Sequence, residues 1–358
     1  MSEEPLSREP RAVRGLIELA AGFLARQGVP SARLDAEILL ASALGLTRMD
    51  LYLAFDRALD EGAVERFRGL VRRRAAREPV AYILGEKEFY SLRFRVTPAV
   101  LIPRAETEHL VDEALGWART RGKAFSALDL GTGSGCLAVA LARAAPEARL
   151  TAVDLSEEAL AVARENAVRH GVSGRIDFRR GDWYGPVKGE RFDLVLCNPP
   201  YVDEEDPSIP PELKAYEPRQ ALFASEGGLA AYRVLAGGLA EALAPEGLAL
   251  FELGAGRAEV IQGFFREAGF LHLDTRRDYG GRERVLRVSR APLLRADAGS
   301  AGELVYEYDF PARASPGTGV GGKARRKNAE LPSDETSQKA LDALLEAYGR
   351  DEEEPPEE

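Results

Sequence analysis

The tetrapeptide Asn198-Pro199-Pro200-Tyr201 follows the apolar run Phe192-Asp193-Leu194-Val195-Leu196-Cys197. The run reads as a buried strand, so the tetrapeptide stands at the carboxyl end of a sheet strand, where open α/β sheets place ligands. Turn composition alone would account for Asn-Pro-Pro; its place at a strand end favours chemistry. A planar amide or aryl amine nitrogen is a poor nucleophile because its lone pair is delocalised. Two acceptors aimed at its N–H bonds hold it and favour the pyramidal form in which charge develops. The Asn198 side-chain oxygen can be one acceptor and the Pro199 backbone carbonyl the other. Pro199 and Pro200 stiffen the loop, so little ordering is left for the reaction. Tyr201 can pack on the planar group. The same residues are candidates for holding the substrate.

A second motif sits upstream. Leu128-Asp129-Leu130 runs as a strand into Gly131-Thr132-Gly133-Ser134-Gly135, and a helix follows from Cys136. Glycines allow positive φ and close approach of backbone N–H groups to a ligand. The dinucleotide fingerprint would need glycine where Cys136 stands, and the Gly-Lys-Ser/Thr of a Walker loop is absent. The pattern Asp-x-Gly-x-Gly-x-Gly resembles that of S-adenosylmethionine (SAM) methyltransferases. In that family the loop packs against the amino-acid end of the cofactor, which suits a carboxylate at Asp129. Asp154 ends the next candidate strand, where its two oxygens can accept both ribose hydroxyls; the alternative is an N-cap of the following helix, a role open also to Ser156. Asp182 can accept from an adenine amino group and Trp183 can lie on the ring, or Trp183 is a surface loop residue. Arg104 either faces the cleft or pairs with Glu106 or Glu108. Cys136 and Cys197 read as small buried residues.

These residues need a scaffold. Residues from about 9 to 78 show helical spacing only. Ala12, Val13, Leu16, Ile17, Leu19, Ala20, Phe23 and Leu24 recur at that spacing. Ser31 is placed to cap the next helix, with Leu34, Ile38, Leu39 and Leu40 inward. A third helix spans about Glu61 to Arg77, with Val64, Phe67, Leu70 and Val71 inward and Arg66, Arg68, Arg72, Arg73 and Arg74 outward. Glu88 to Val96 has the aromatics and alternation of a hairpin. From Ala127 short apolar runs alternate with helical ones. Candidate strands are 127–130, 150–153, 176–178, 192–197 and 248–253; candidate helices are about 135–145, 157–170, 228–243 and 257–268. That alternation predicts a parallel α/β sheet, closed by a strand pair at about 271–275 and 283–289.

Composition bounds the partners. The chain has 358 residues and a formal net charge of −10, which argues against a general nucleic-acid coat. The charge is uneven: residues 290–358 hold 9 Lys and Arg against 15 Asp and Glu, leaving the remainder near balance at −4. Two cysteines cannot form a disulfide framework, and three scattered histidines without Cys-x-x-Cys predict no metal site. Met1 to Pro10 is polar, unlike a signal peptide, and no apolar run approaches the roughly 20 residues of a membrane span. The cytoplasm is the expected compartment. Ala314 to Gly322 has linker composition, and Leu341, Leu344, Leu345 and Tyr348 fall at helical spacing.

From about Arg33 to Arg290 the chain resembles the release-factor glutamine methyltransferase family (HemK/PrmC type). The matching segments are Arg33 to Leu40, Glu78 to Gly85, Leu101-Ile102-Pro103-Arg104-Ala105-Glu106-Thr107-Glu108, Asp129 to Gly135, Asn198 to Tyr201, Glu217-Pro218-Arg219, and Arg277-Asp278-Tyr279-Gly280-Gly281. Asn-Pro-Pro-Tyr alone is shared with adenine methyltransferases; its combination with Ile-Pro-Arg and a helical N-terminal domain is more specific. The resemblance implies a class I SAM-dependent methyltransferase fold, α/β and Rossmann-like, with a mostly parallel seven-stranded sheet. It implies a helical substrate-binding domain at 1–85, a β-hairpin linker at 86–104 and the methyltransferase domain at 105–290; composition and spacing predict a disordered tail at 291–358 with a short helix near 337–348. It implies methylation of the glutamine of Gly-Gly-Gln in class-one peptide chain release factors, by a monomer that needs no direct nucleic-acid or membrane contact. A ribosomal-protein glutamine and a nucleic-acid adenine N6 are the competing acceptors. Cofactor contacts are expected at Asp129, Gly131, Thr132, Gly133, Ser134, Gly135, Asp154, Asp182, Trp183 and Asn198. Substrate contacts are expected along Asn198 to Tyr201 and at Arg104. The tail carries no part of the pattern, so deletion of 291–358 is expected to leave kcat for methyl transfer intact; a large loss in a steady-state assay would make the tail part of the machine.

Overall fold

The computed structural model describes residues 12–207 and 209–292. The chain opens with helices α1 (Val13–Arg26), α2 (Ala32–Leu44), α3 (Arg48–Leu53), α4 (Glu61–Ala75) and α5 (Val80–Leu84). Val13, Ile17, Leu24, Leu39, Leu40, Leu51 and Phe67 bury a shared apolar core. The short α3 and α5 were not separable by periodicity; α3 starts at a capping box, in which Thr47 and Asp50 satisfy each other's backbone N–H groups.

Three expectations in this stretch are corrected. Ser31 stands at the N-cap of α2, but its hydroxyl donates to Asp35 Oδ1 (2.9 Å) and caps nothing. Leu34 is exposed; Ala32 and Ala36 take the inner positions beside Leu39 and Leu40. Arg74 is not on the solvated face of α4. It is 6% exposed, and its Nε donates to Asp35 Oδ2 at 2.7 Å, which joins α4 to α2. A buried charge survives there because a second one meets it.

Strands β1 (Glu86–Phe89) and β2 (Leu92–Arg95) form the antiparallel hairpin. Its tip, Tyr90-Ser91, is left-handed without glycine (φ 50° and 58°). Glu108 accepts the Tyr90 N–H and Asp112 accepts its hydroxyl, so helix α6 (Glu108–Arg121) holds the strained turn.

The rest alternates. Strand β3 (Phe125–Leu130) leads to α7 (Cys136–Ala144), β4 (Ala148–Asp154) to α8 (Glu157–Arg169), and β5 (Ile176–Arg180) to β6 (Phe192–Cys197). After helix Ala230–Ala242 comes β7 (Leu243–Glu252), then helix Ala258–Glu267 and the antiparallel β8 (His272–Arg277) and β9 (Glu283–Ser289). One seven-stranded sheet results, in the order β5-β4-β3-β6-β7-β9-β8, with six strands running one way and β9 against them. The expected α/β class and mostly parallel sheet are what the chain forms. Side chains alternate across it: Leu194, Leu196, Leu248 and Leu250 face one apolar layer, Val195, Cys197, Ala249 and Phe251 the other. A smaller cluster of Tyr82, Val96, Val100 and Ile102 with Ala159 and Val162 fastens the segment after α5 to α8.

The sheet order reverses around β3, whose neighbours are β4 and β6. Leu130 pairs with Val153 on one side and Cys197 on the other, and Cys197 pairs with Phe251 of β7. The next residues, Gly131, Asp154, Asn198 and Glu252, therefore leave the sheet in one row. That is the topological switch point of an open α/β sheet. The tail expected from 291, the helix near 337–348 and the segment Met1 to Pro10 lie outside the described residues, apart from Ala291 and Pro292. Among the described residues no helix is long and apolar enough to cross a membrane.

Removing one partner of the Asp35–Arg74 pair strands the other charge in the core. Asp35→Ala is expected to lower unfolding free energy in urea by roughly 3–5 kcal/mol, while Asp35→Leu with Arg74→Met recovers most of it.

Candidate active site

A cavity of about 780 Å³ opens over the row of strand ends. Of the residues singled out in the sequence, Arg104, Gly131, Thr132, Gly133, Ser134, Asp154, Asp182, Trp183, Asn198 and Pro200 line it. Asp129, Gly135, Pro199 and Tyr201 stand behind the wall. Further walls come from Val100, Leu101, Pro103 and Thr107, and from the Pro218–Phe223 segment.

The glycine loop is pinned from below. Gly131 and Thr132 both donate to the Val153 carbonyl (2.9 and 3.0 Å). Gly135 has φ 79°, and a Cβ there would lie 3.0 Å from that of Ala163, so glycine is required on both counts. The buried Asn166 of α8 donates from Nδ2 to the Ser134 carbonyl (2.9 Å) and the Arg95 carbonyl (3.0 Å), and accepts the Arg95 N–H at Oδ1 (2.7 Å). One side chain thus ties the loop to the hairpin.

Asp129 is fully buried. Its Oδ2 accepts the Thr132 hydroxyl (2.6 Å), while Oδ1 completes no hydrogen bond. Burial pushes its pKa up to about 7, against the pull of Thr132. Asp154 is not the helix cap: Ser156 takes that place by accepting the Ala159 N–H. Asp154 Oδ2 accepts the Gly133 N–H (2.8 Å) and Oδ1 the Ser156 N–H (3.0 Å), and burial raises its pKa as well. Each oxygen keeps a second acceptor position for a ligand. Trp183 lines the cavity with a left-handed backbone (φ 42°) and rests on the apolar layer around Phe192, so it is no free surface residue.

Arg104 faces the cleft edge, and its partner is neither Glu106 nor Glu108. Its guanidinium donates to Glu217, which also accepts the Ile102 N–H (3.1 Å). The Ile-Pro-Arg and Glu-Pro-Arg segments are therefore one clamp. Cys197 is buried and Cys136 half-buried; burial pushes both thiol pKa values up, Cys136 to about 12.

Asn198 sits in a hydrogen-bonded chain that the sequence did not reveal. Its Nδ2 donates to Thr107 Oγ1 (3.1 Å), Thr107 donates to Glu252 Oε2 (2.6 Å), and Tyr201 donates to Glu252 Oε1 (3.0 Å). Glu252 is 1% exposed. Burial raises its pKa; the two hydroxyls and Arg284 pull it back. Tyr201 is pushed above the ordinary phenol range by burial and by Glu252, so it stays a donor. Tyr201, expected to pack on the planar group, does not line the cavity and is anchored by its hydroxyl on Glu252. The available signal was a single acid closing the apolar run Leu248-Ala249-Leu250-Phe251-Glu252-Leu253. The turn behind Tyr201 is equally tight, since a Cβ on Gly228 would strike the Tyr201 carbonyl at 2.2 Å.

Two segments of the chain match known families. Residues 16–85 match the model of the PrmC N-terminal domain, and residues 115–213 that of the methyltransferase small domain. The release factor glutamine methyltransferase of Geobacter sulfurreducens is 44% identical over 287 residues, 80% of this chain and 98% of that one. That of Bordetella pertussis is 44% identical over 75% of this chain and 97% of its own. A solved protein-(glutamine-N5) methyltransferase (release factor-specific) from Alicyclobacillus acidocaldarius is 30% identical, covering 56% of this chain and all of that one, with a TM-score of 0.34. With identity of this level across nearly the whole length of its relatives, the chain belongs to the release factor glutamine methyltransferase family.

Proposed function

We propose that this chain transfers a methyl group from SAM to the side-chain amide nitrogen (N5) of the glutamine in the Gly-Gly-Gln tripeptide of class-one peptide chain release factors. The observation that carries this reading is that one cavity is lined by both the glycine loop and Asn198, so a cofactor and a nitrogen acceptor can meet there. Family membership supplies the acceptor.

The residues present fit SAM. The orphaned Oδ1 of Asp129 beneath the loop suits an ammonium group, and the spare acceptor positions of Asp154 suit a ribose diol. Trp183 and Asp182 would take the adenine. When bound, SAM supplies an electrophilic methyl group on sulfur.

The protein's own part is alignment. Asn198 Nδ2 is committed to Thr107, which leaves Oδ1 to accept one N–H of the glutamine amide. The Pro199 carbonyl would accept the other, reached between the two lining residues Asn198 and Pro200. Both acceptors strengthen as the nitrogen pyramidalises and gains positive charge, so they stabilise the transition state more than the ground state. No strong base is needed, because the charged nitrogen is acidic enough to lose its proton to solvent. Residues 1–85 grip the release factor, 86–104 connect, and 105–290 carry the chemistry. The enzyme acts as a cytoplasmic monomer without direct nucleic-acid contact.

Incubation of the chain with SAM and a purified class-one release factor should yield, by mass spectrometry, a Gly-Gly-Gln glutamine heavier by one methylene. An unmodified factor beside methylated adenine in RNA or DNA overturns the reading. Asn198→Ala should keep most SAM affinity yet lose about 10²-fold or more in kcat; near-normal turnover sinks the two-acceptor mechanism. Asp129 is neutral below its raised pKa, so SAM affinity should weaken as pH falls through about 7, by up to about tenfold per unit in calorimetric titrations. Asp129→Asn should flatten that slope.

A further inference from the structure

We propose that Thr107 is a positioning residue that sets which end of the Asn198 amide faces the cavity. The inference builds on the proposed methyl transfer but stands on its own geometry. Threonine at the N-cap of α6 would ordinarily accept a backbone N–H of its helix. This one makes no capping bond. Its hydroxyl is diverted across 145 residues of sequence to Glu252.

Glu252 fixes the direction of that hydroxyl. Its two oxygens face two O–H groups, those of Thr107 and Tyr201, and each oxygen accepts one of them. The single proton of Thr107 is thereby committed at 2.6 Å. What Thr107 offers Asn198 is a lone pair, and only an N–H can meet it. The amide is held with Nδ2 on Thr107 at 3.1 Å and Oδ1 as its other end. A reversed amide would set two acceptors against each other at Thr107. It would also set a donor against the N–H bonds of an incoming amide, where the reaction needs an acceptor.

The burial of Thr107, 2% exposed, keeps water from replacing it. The effect is pre-orientation: Asn198 differs little in energy between its two amide orientations unless a neighbour discriminates, and here the neighbour is a hydroxyl polarised by a buried carboxylate.

Thr107→Val keeps the shape and removes the hydroxyl. With the release factor as acceptor, kcat should fall about 10²-fold while the SAM Kd stays within about twofold. Thr107→Ser should restore most of the turnover. A readout independent of turnover is the Asn198 side-chain amide in 15N spectra: exchange-protected in wild type, unprotected in Thr107→Val, protected again in Thr107→Ser. Wild-type turnover in Thr107→Val overturns the inference, as does a Thr107→Ser variant as poor as Thr107→Val, which would assign the loss to the β-methyl. A parallel loss of SAM binding and turnover in Thr107→Val also overturns it, since even Asn198→Ala is expected to keep most SAM affinity. If wild-type chain methylates no release factor, the proposed function fails; the amide spectra still decide the role of Thr107.

Discussion

Hydrogen-bond register is the constraint on which the site depends. Parallel strands β4, β3, β6 and β7 are paired so that Asp154, Gly131, Asn198 and Glu252 follow one another across the sheet. Neighbouring strands lie about 4.8 Å apart. A side chain at each strand end therefore sits within reach of the next without any loop having to search for it. Because side chains alternate between faces, a slip of one residue in β6 would turn Asn198 into the opposite layer and carry Cys197 into the cavity wall. The apolar alternation of Leu194, Val195, Leu196 and Cys197 against two separate cores forbids that slip.

Buried acids concentrate in and just beneath the same row. Asp129, Asp154 and Glu252 all have pKa values raised by burial, and each is met by donors placed by a different element: Thr132 from the loop, Gly133 and Ser156 from the loop and α8, Thr107 and Tyr201 from α6 and the strand end. In their ionised forms these carboxylates favour a positively charged ligand over a phosphorylated one.

Much of this was legible in the chain. Strand and helix positions followed from apolar periodicity because each element buries one face or both. Asn198 to Tyr201 and the glycine loop stood out because their residue types are costly elsewhere. What could not be read were partnerships across the chain. Arg74 looked solvated because its helix carries five arginines, and only Asp35, 39 residues away, brings it inside. Arg104 had two nearby acids to choose from and took Glu217, 113 residues on. Thr107 and Glu252 carry no local signal of cooperation. Side-chain pairing of this kind is decided by topology, and periodicity along one element contains no information on it.

Asn166 bears on how far the protein can be taken apart. Its amide is wholly buried and divided between the cofactor-side loop and the hairpin strand β2. A catalytic fragment trimmed to begin at α6 would leave that amide facing the gap left by Arg95, with a donor and an acceptor unmet beneath Ser134. The hairpin is therefore part of the sheet half, and its Phe89 and Phe94 share an apolar layer with Leu150 and Leu194. A cut that keeps the Asn166 amide satisfied has to fall before β2.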